Sequence, residues 1–265
     1  MIEYLLATCN GVSVQCCGQE SKWQLIQVDG LSPMPITINY ETGFEFIGSR
    51  FNSKSVGNRN IVIYLKLNGD AHANRWELYP VFATGNNVDL RIKADGRDVK
   101  ISGLVETNEV NIWSDSVIMQ ISIVCEKPAL KSYTAKTITN PTSSTLIKND
   151  GDIVAGFSAV ISMTSSFYGV KLTNVSTNKS FSITTTSTMS STTLDYSSVD
   201  GERKLISRSS TPYVQYMDSN TEFIKLQRGN NYIAYYGKTS STGGWTTSPT
   251  GMSVTLTFND EYIGV

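Results

Sequence analysis

Residues 119–128 constrain the fold more than any other stretch of this chain. Met119, Ile121, Ile123 and Cys125 are apolar at every second position, with Gln120 and Ser122 between them. A period of two is the mark of a strand with one buried face. Pro128 has no backbone N–H to give to a ladder, so the strand stops there. Beyond it the composition changes: residues 1–130 hold 15 serines and threonines, and residues 131–265 hold 46. One strand therefore closes one domain, and a second domain of different style follows.

The rest of the chain reads the same way. Strand-like segments fall at 24–28, 36–40, 61–67, 88–92, 99–105, 109–113 and 117–125, then at 157–163, 169–174, 181–185, 192–196, 204–207, 223–226, 231–236 and 254–258. Turn dipeptides such as Asp29-Gly30, Asn68-Gly69, Asp95-Gly96, Asp150-Gly151 and Asp200-Gly201 separate them. Segment 194–206 reads as a hairpin turning at Asp200-Gly201. Only 73–83 lacks the alternation; Trp76, Tyr79 and Ala83 fall on one helical face there, and Pro80 keeps the helix short or kinked. The expected fold is mainly β: residues 1–130 form a sandwich or barrel-like domain with one short helix. A polar linker covers 131–148, and 149–265 form a β-sandwich.

Composition excludes several classes. Net charge is −1 at a length of 265, with no block of five like charges and no basic patch of the kind a nucleic-acid surface needs. No apolar run reaches the roughly 18–20 residues that span a bilayer. The N-terminus lacks the basic and apolar regions of a signal peptide, which points to folding in a cytoplasm. Cys9, Cys16, Cys17 and Cys125 show no C-x-x-C spacing for zinc. They read as free thiols in a reducing compartment, the alternative being a disulfide from Cys9 to one of the adjacent pair.

Catalytic constellations are not legible. The single histidine, His72, sits in a turn with no nucleophile at a meaningful spacing. Asp29, Asp70, Asp95, Asp150 and Asp200 occupy turn positions where aspartate caps the backbone. No phosphate loop, dinucleotide fingerprint or EF-hand is present, and no cofactor or metal is implied. Trp245, in the loop Ser241-Thr242-Gly243-Gly244-Trp245, is a candidate glycan or partner contact, or folds onto its own sandwich.

Several blocks in order resemble the distal tail proteins of siphophages. They are Arg50-Phe51; Arg59-Asn60-Ile61-Val62-Ile63-Tyr64-Leu65; the helix around Arg75-Trp76-Glu77-Leu78-Tyr79-Pro80; Gly96-Arg97-Asp98-Val99-Lys100-Ile101-Ser102-Gly103-Leu104-Val105-Glu106; the closing strand 119–128; and the ending Tyr262-Ile263-Gly264-Val265. Residues 1–20 match no block of that family. The resemblance implies a C-terminal domain of galectin-like fold and a structural virion protein with no catalytic residues. It implies a ring, usually a hexamer, formed by the N-terminal domains at the distal end of the tail. The implied partners are further copies of the chain, the major tail tube protein, a tail-tip protein, and receptor-binding or baseplate proteins on the C-terminal domain. No membrane and no sequence-specific nucleic acid are implied, and assembly would take place in the host cytoplasm.

Arginine and tryptophan are favoured at interfaces, which makes Arg50, Arg59, Trp76, Arg97 and Trp113 the candidate interface residues. The strands 99–105 and 117–125 are expected in the ring-forming domain. The alternative function is a carbohydrate-binding adhesin using Trp245, and a glycan hydrolase lacks a recognisable carboxylate pair.

Overall fold

The computed structural model describes residues 2–17, 21–34, 36–42, 47–111, 116–200, 205–208 and 211–265. The chain forms two compact units. Unit 1 comprises Met1–Tyr133 together with Tyr262–Val265, and unit 2 comprises Thr134–Glu261. The fold is mainly β in both, with one α-helix among the described residues.

Unit 1 contains β1 (Ile2–Cys9), β2 (Val12–Cys16), β3 (Trp23–Asp29), β4 (Ile36–Glu41), β5 (Arg50–Val56), β6 (Arg59–Leu67), α1 (Ala71–Phe82), β7 (Asn87–Ala94), β8 (Arg97–Val110), β9 (Ile118–Cys125) and β10 (Leu130–Ser132). The main sheet runs in the order β2-β1-β7-β8-β9-β6-β3. Its two ends meet: Cys17 bridges Gln24 in parallel, and the Leu25 N–H donates to the Cys17 carbonyl at 3.0 Å. The sheet thereby curls into a nearly closed barrel, the usual way a β domain removes its free edges. The period-two pattern supplies the filling. Met119, Ile121, Ile123 and Cys125 of β9 are buried with Ile61, Ile63 and Leu65 of β6 and Leu90 and Ile92 of β7. The expected strand 99–105 and the start of the expected strand 109–113 are one long strand, β8, with a register shift against β9 between Val105 and Thr107; residues 112 and 113 lie outside the described residues.

Helix α1 starts at Asp70, whose carboxylate accepts the N–H groups of His72 and Ala73, both at 3.1 Å. It buries Asn74, Leu78, Val81 and Phe82. That face differs from the expected one: Trp76 is 64% exposed, and its ring meets Tyr79 edge-on at 5.2 Å. Leu78, Val81 and Phe82, three and four apart, pack into the core of unit 1 with Tyr79 partly buried against it, while Trp76 stays outside. Pro80 sits on the exposed side near the helix end and does not break the helix.

Unit 2 contains β11 (Lys136–Thr139), β12 (Leu146–Asn149), β13 (Phe157–Met163), β14 (Phe167–Asn174), β15 (Lys179–Met189), β16 (Thr192–Ser197), β17 (Leu205–Arg208), β18 (Thr211–Pro212), β19 (Gly229–Lys238), β20 (Thr246–Thr247) and β21 (Met252–Phe258). One sheet is ordered β11-β21-β13-β16-β17-β18; the other is β12-β19-β14-β15, with β20 on β19. Their inner faces share one core in which Phe157, Ile161, Leu194 and Leu256 meet Leu172, Phe181, Ile183 and Ile233, the layering of a β-sandwich. Tyr196 anchors its centre against Phe157, Phe181 and Phe223 and gives its hydroxyl to the Ile224 carbonyl at 3.1 Å. β16 and β17 pair as the expected hairpin requires, with Tyr196 opposite Ile206; residues 201–204 of its turn lie outside the described residues. The expected strand 223–226 reduces to a single bridge, Leu226 to Ala155. Over 131–148, where a linker is expected, the chain forms parts of β10, β11 and β12.

Candidate assembly surface

The barrel leaves one pair of strands outside it. β4 and β5 form a separate two-stranded sheet, and every described residue of both strands is exposed. Their register sets Ile36 opposite Val56, Ile38 opposite Lys54 and Tyr40 opposite Phe51, with a bulge between Asn39 and Tyr40. Opposed residues point to the same side. One face therefore carries Ile36, Ile38, Tyr40, Phe51 and Val56 with Lys54 among them, and the other carries Thr37, Asn39, Glu41, Arg50, Ser53 and Ser55. The five apolar side chains are 46–58% exposed. A lone hairpin is at best marginally stable in water, and a contiguous exposed apolar face marks an interaction site.

The base of this hairpin is clasped. Arg59, at the start of β6, is 2% exposed. Its guanidinium donates to the carbonyls of Pro128 at 2.6 Å, Ser32 at 2.9 Å and Ile263 at 2.6 Å, and also to that of Gly30. Burial pulls its pKa down, and the neighbouring Cys125 acts in the other direction. The segment 30–34, which leads into β4, is tied a second time. The Val265 N–H donates to Leu31 O at 3.0 Å and the Met34 N–H to Ile263 O at 3.1 Å. Gly30 is in the left-handed region at φ +86°, and an added Cβ would collide with Asn60 O. Only glycine fits that turn. Arg97 completes the clasp, donating to Gly264 O at 2.7 Å with its guanidinium 4.5 Å from the Tyr262 ring centre.

The candidate interface residues thus fall in different places. Arg50 is exposed on β5, opposite Glu41. Trp76 is exposed on α1 with the Arg75 guanidinium over its ring at 5.4 Å. Arg59 is corrected: buried and committed to internal carbonyls, it cannot reach a partner. Arg97 is half-buried and holds the tail 262–265 of its own unit. Trp113 lies outside the described residues. Strands 99–105 and 117–125 are β8 and β9, interior to the sheet, so neither offers a free edge. The hairpin was half legible, since 36–40 alternates, but β5 reads Arg-Phe-Asn-Ser-Lys-Ser-Val and carries too few apolar residues to be read as a strand.

All four cysteines are free; Cys9, Cys16 and Cys125 are buried, and no disulfide joins Cys9 to the pair. Burial pushes the Cys16 thiol up to about 12, helped by Cys17, and the Cys125 thiol up to about 11 against the pull of Arg59. His72 is exposed on the first turn of α1. Among the described residues no three His, Cys, Asp or Glu side chains group to hold a metal, and no helix is long and apolar enough to cross a membrane.

No protein-family model and no curated protein matches the sequence. Solved structures do. The two-unit β architecture is that of phage tail-hub and baseplate proteins. It matches Dit (gp 19.1) of phage SPP1, a paradigm of the hub adsorption apparatus in phages infecting Gram-positive hosts, with a TM-score of 0.72, 13% identity, and 97% of this chain and 98% of that one covered. A chain of the phage P2 baseplate in its activated, calcium-containing conformation matches with a TM-score of 0.50 and 8% identity over 100% of both chains. At these identities the likeness establishes the fold. It agrees with the fold expected from the distal-tail resemblance of the sequence.

Proposed function

We propose that this chain is a structural hub protein of a long-tailed phage. Unit 1 forms a closed ring, of six copies by the family resemblance, at the distal end of the tail. Its neighbours are the tail tube protein on one side and a tail-tip protein on the other. Unit 2 anchors receptor-binding or baseplate proteins. The protein acts by assembly and not by catalysis, is built in the host cytoplasm and ends in the virion.

The observation that carries this reading is the exposed amphipathic hairpin β4–β5. Barrel closure uses up the sheet edges, whereas the hairpin has two unpaired edges and an uncovered apolar face. A second copy of the chain covers it in a head-to-tail contact that repeats around a rotation axis, the geometry that closes rings. Arg50, exposed on β5, and Trp76, exposed on α1, are residue types favoured in such contacts.

The test is the solution mass of the full-length protein by light scattering, with negative-stain images of the same peak. Wild type gives rings with a central hole. Ile38→Lys with Phe51→Lys gives a monomer whose melting is unchanged, because both side chains are already exposed. Rings that survive the double substitution refute the hairpin as the contact, and a wild-type monomer at every concentration refutes self-assembly of the free protein.

A further inference from the structure

We propose that unit 2 carries a shallow saccharide site on the outer face of β19, β14 and β15, built around Trp245 and suited to polysaccharides with anionic substituents. This site is independent of the hairpin and of ring formation.

The register places the components. Gly169 lies between Thr184 of β15 and Lys238 of β19; one row along, Lys171 lies between Ser182 and Tyr236, and Tyr236 pairs onward with Thr247. Val170 and Leu172 point into the core, so Gly169, Lys171 and their row partners point outward. Trp245 lies over this face. A Cβ on Gly169 would sit 3.0 Å from Trp245 Cη2 and 3.4 Å from Cζ3, so the missing side chain is what lets the indole rest on the backbone. The ring remains half-exposed. An indole seated against a sheet backbone and only half-buried offers ring surface on which the C–H face of a pyranose can stack.

Groups able to bind hydroxyls flank it. Asp218 Oδ2 accepts from Ser182 Oγ at 2.5 Å and from Thr184 Oγ1 at 3.3 Å, which aims a fixed carboxylate and two hydroxyls along the same rows. The charge balance selects the ligand class. Lys136, Lys148, Lys179 and Lys225 of unit 2 all form ion pairs. Lys171 and Lys238 form none among the described residues, and both lie on the Trp245 face. Lys171 instead places its ammonium 5.7 Å from the Tyr236 ring centre. Two lysines without an ion pair outnumber the single carboxylate of Asp218, which the Ser182 and Thr184 hydroxyls already satisfy, so the face around the stacking ring complements a sugar bearing phosphate or carboxylate. Serine and lysine are depleted in the cores of protein interfaces, which favours a saccharide over a protein occupant here.

The experiment uses the full-length protein on an array of microbial polysaccharides containing matched charged and neutral members, phosphomannan and mannan among them. Hits are titrated by tryptophan fluorescence at two salt concentrations. The proposal expects charged members to bind, salt to weaken them, and Trp245→Ala to lower affinity at least tenfold. The pair Lys171→Glu and Lys238→Glu abolishes the preference for charged over neutral members while the unit 2 melting transition stays in place, which keeps the proposal testable if Trp245→Ala unfolds. No binding on the array overturns it, as does binding indifferent to both variants. Loss of a co-purifying tail protein from Trp245→Ala, with no saccharide bound, overturns it in favour of protein docking.

Discussion

Replacing Arg59 by methionine tests whether the clasp holds unit 1 together. Methionine approximates the volume of the arginine stem and carries no donor. Four carbonyls lose a charged partner. The Ile263 carbonyl keeps the Met34 N–H, while those of Gly30, Ser32 and Pro128 lose the guanidinium. Each carbonyl left buried without its donor costs about 1–3 kcal/mol, and local relaxation makes the sum less than additive. The expected loss is about 3–5 kcal/mol, the range found when one side of a buried charged contact is removed. For a unit of this size that lowers the melting temperature by about 10–20 °C. Calorimetry of the full chain reads it directly: unit 2 contains no part of the clasp, so its transition is an internal reference. Hydrogen exchange at the Val265 and Met34 amides should speed up in parallel. A shift below about 1 kcal/mol, or equal shifts of both transitions, refutes the clasp. Deleting residues 262–265 in the Arg59→Met background should cost less than the two changes summed, because they remove the same bonds.

Other outcomes follow from the same geometry. Gly30→Ala forces a Cβ onto Asn60 O and a left-handed φ on alanine; it should destabilise unit 1 by more than about 1 kcal/mol in urea unfolding. Asp98 takes two hydrogen bonds from Arg91, at 2.9 and 2.7 Å, which hold its pKa below the ordinary value. Its contribution is therefore present above the ordinary aspartate pKa of about 3.9 and is lost as pH falls through the lower folded value; a pH series of melting temperatures on Asp98→Asn should show a shallower acid limb. With a thiol reagent at neutral pH, half-buried Cys17 should react first, while Cys16 and Cys125, both buried with raised pKa values, react only on unfolding. Trp76→Ala should leave the melting transition within about 1 kcal/mol of wild type, since the ring is exposed.

What the sequence disclosed and what it hid follow from the range of the interactions concerned. Period-two alternation located β9, β6, β13 and β16 because each buries one face, and that is a local property. β1 and β2 went unread although Asn10 and Gly11 join them with positive φ values of 48° and 81°. The Asn-Gly pair between apolar alternations was the available signal. Arg59 was read as an interface residue because composition speaks of side-chain type and is silent on burial. Its acceptors lie 27, 29, 69 and 204 residues away, and no window of sequence holds such a site. The spacing of Trp76, Tyr79 and Ala83 picks out a face rotated from the buried one: Leu78, Val81 and Phe82 enter the core, Tyr79 lies against it and Trp76 does not. Trp245 was seen as a loop aromatic, but its seat on Gly169 needed the pairing of β14 with β19.

The return of residues 262–265 to unit 1 has a mechanical consequence. Unit 2 is joined to its host by two covalent passages, after Tyr133 and before Tyr262. A load on unit 2 divides between them. On the second passage it meets the short strand Glu261–Tyr262, paired with β10 in the main sheet, and then the carbonyls gripped by Arg59 and Arg97. Those bonds hold the loop that leads into the exposed hairpin. Tension on unit 2 is therefore delivered to the root of the exposed hairpin, so the tether is also a transmission line.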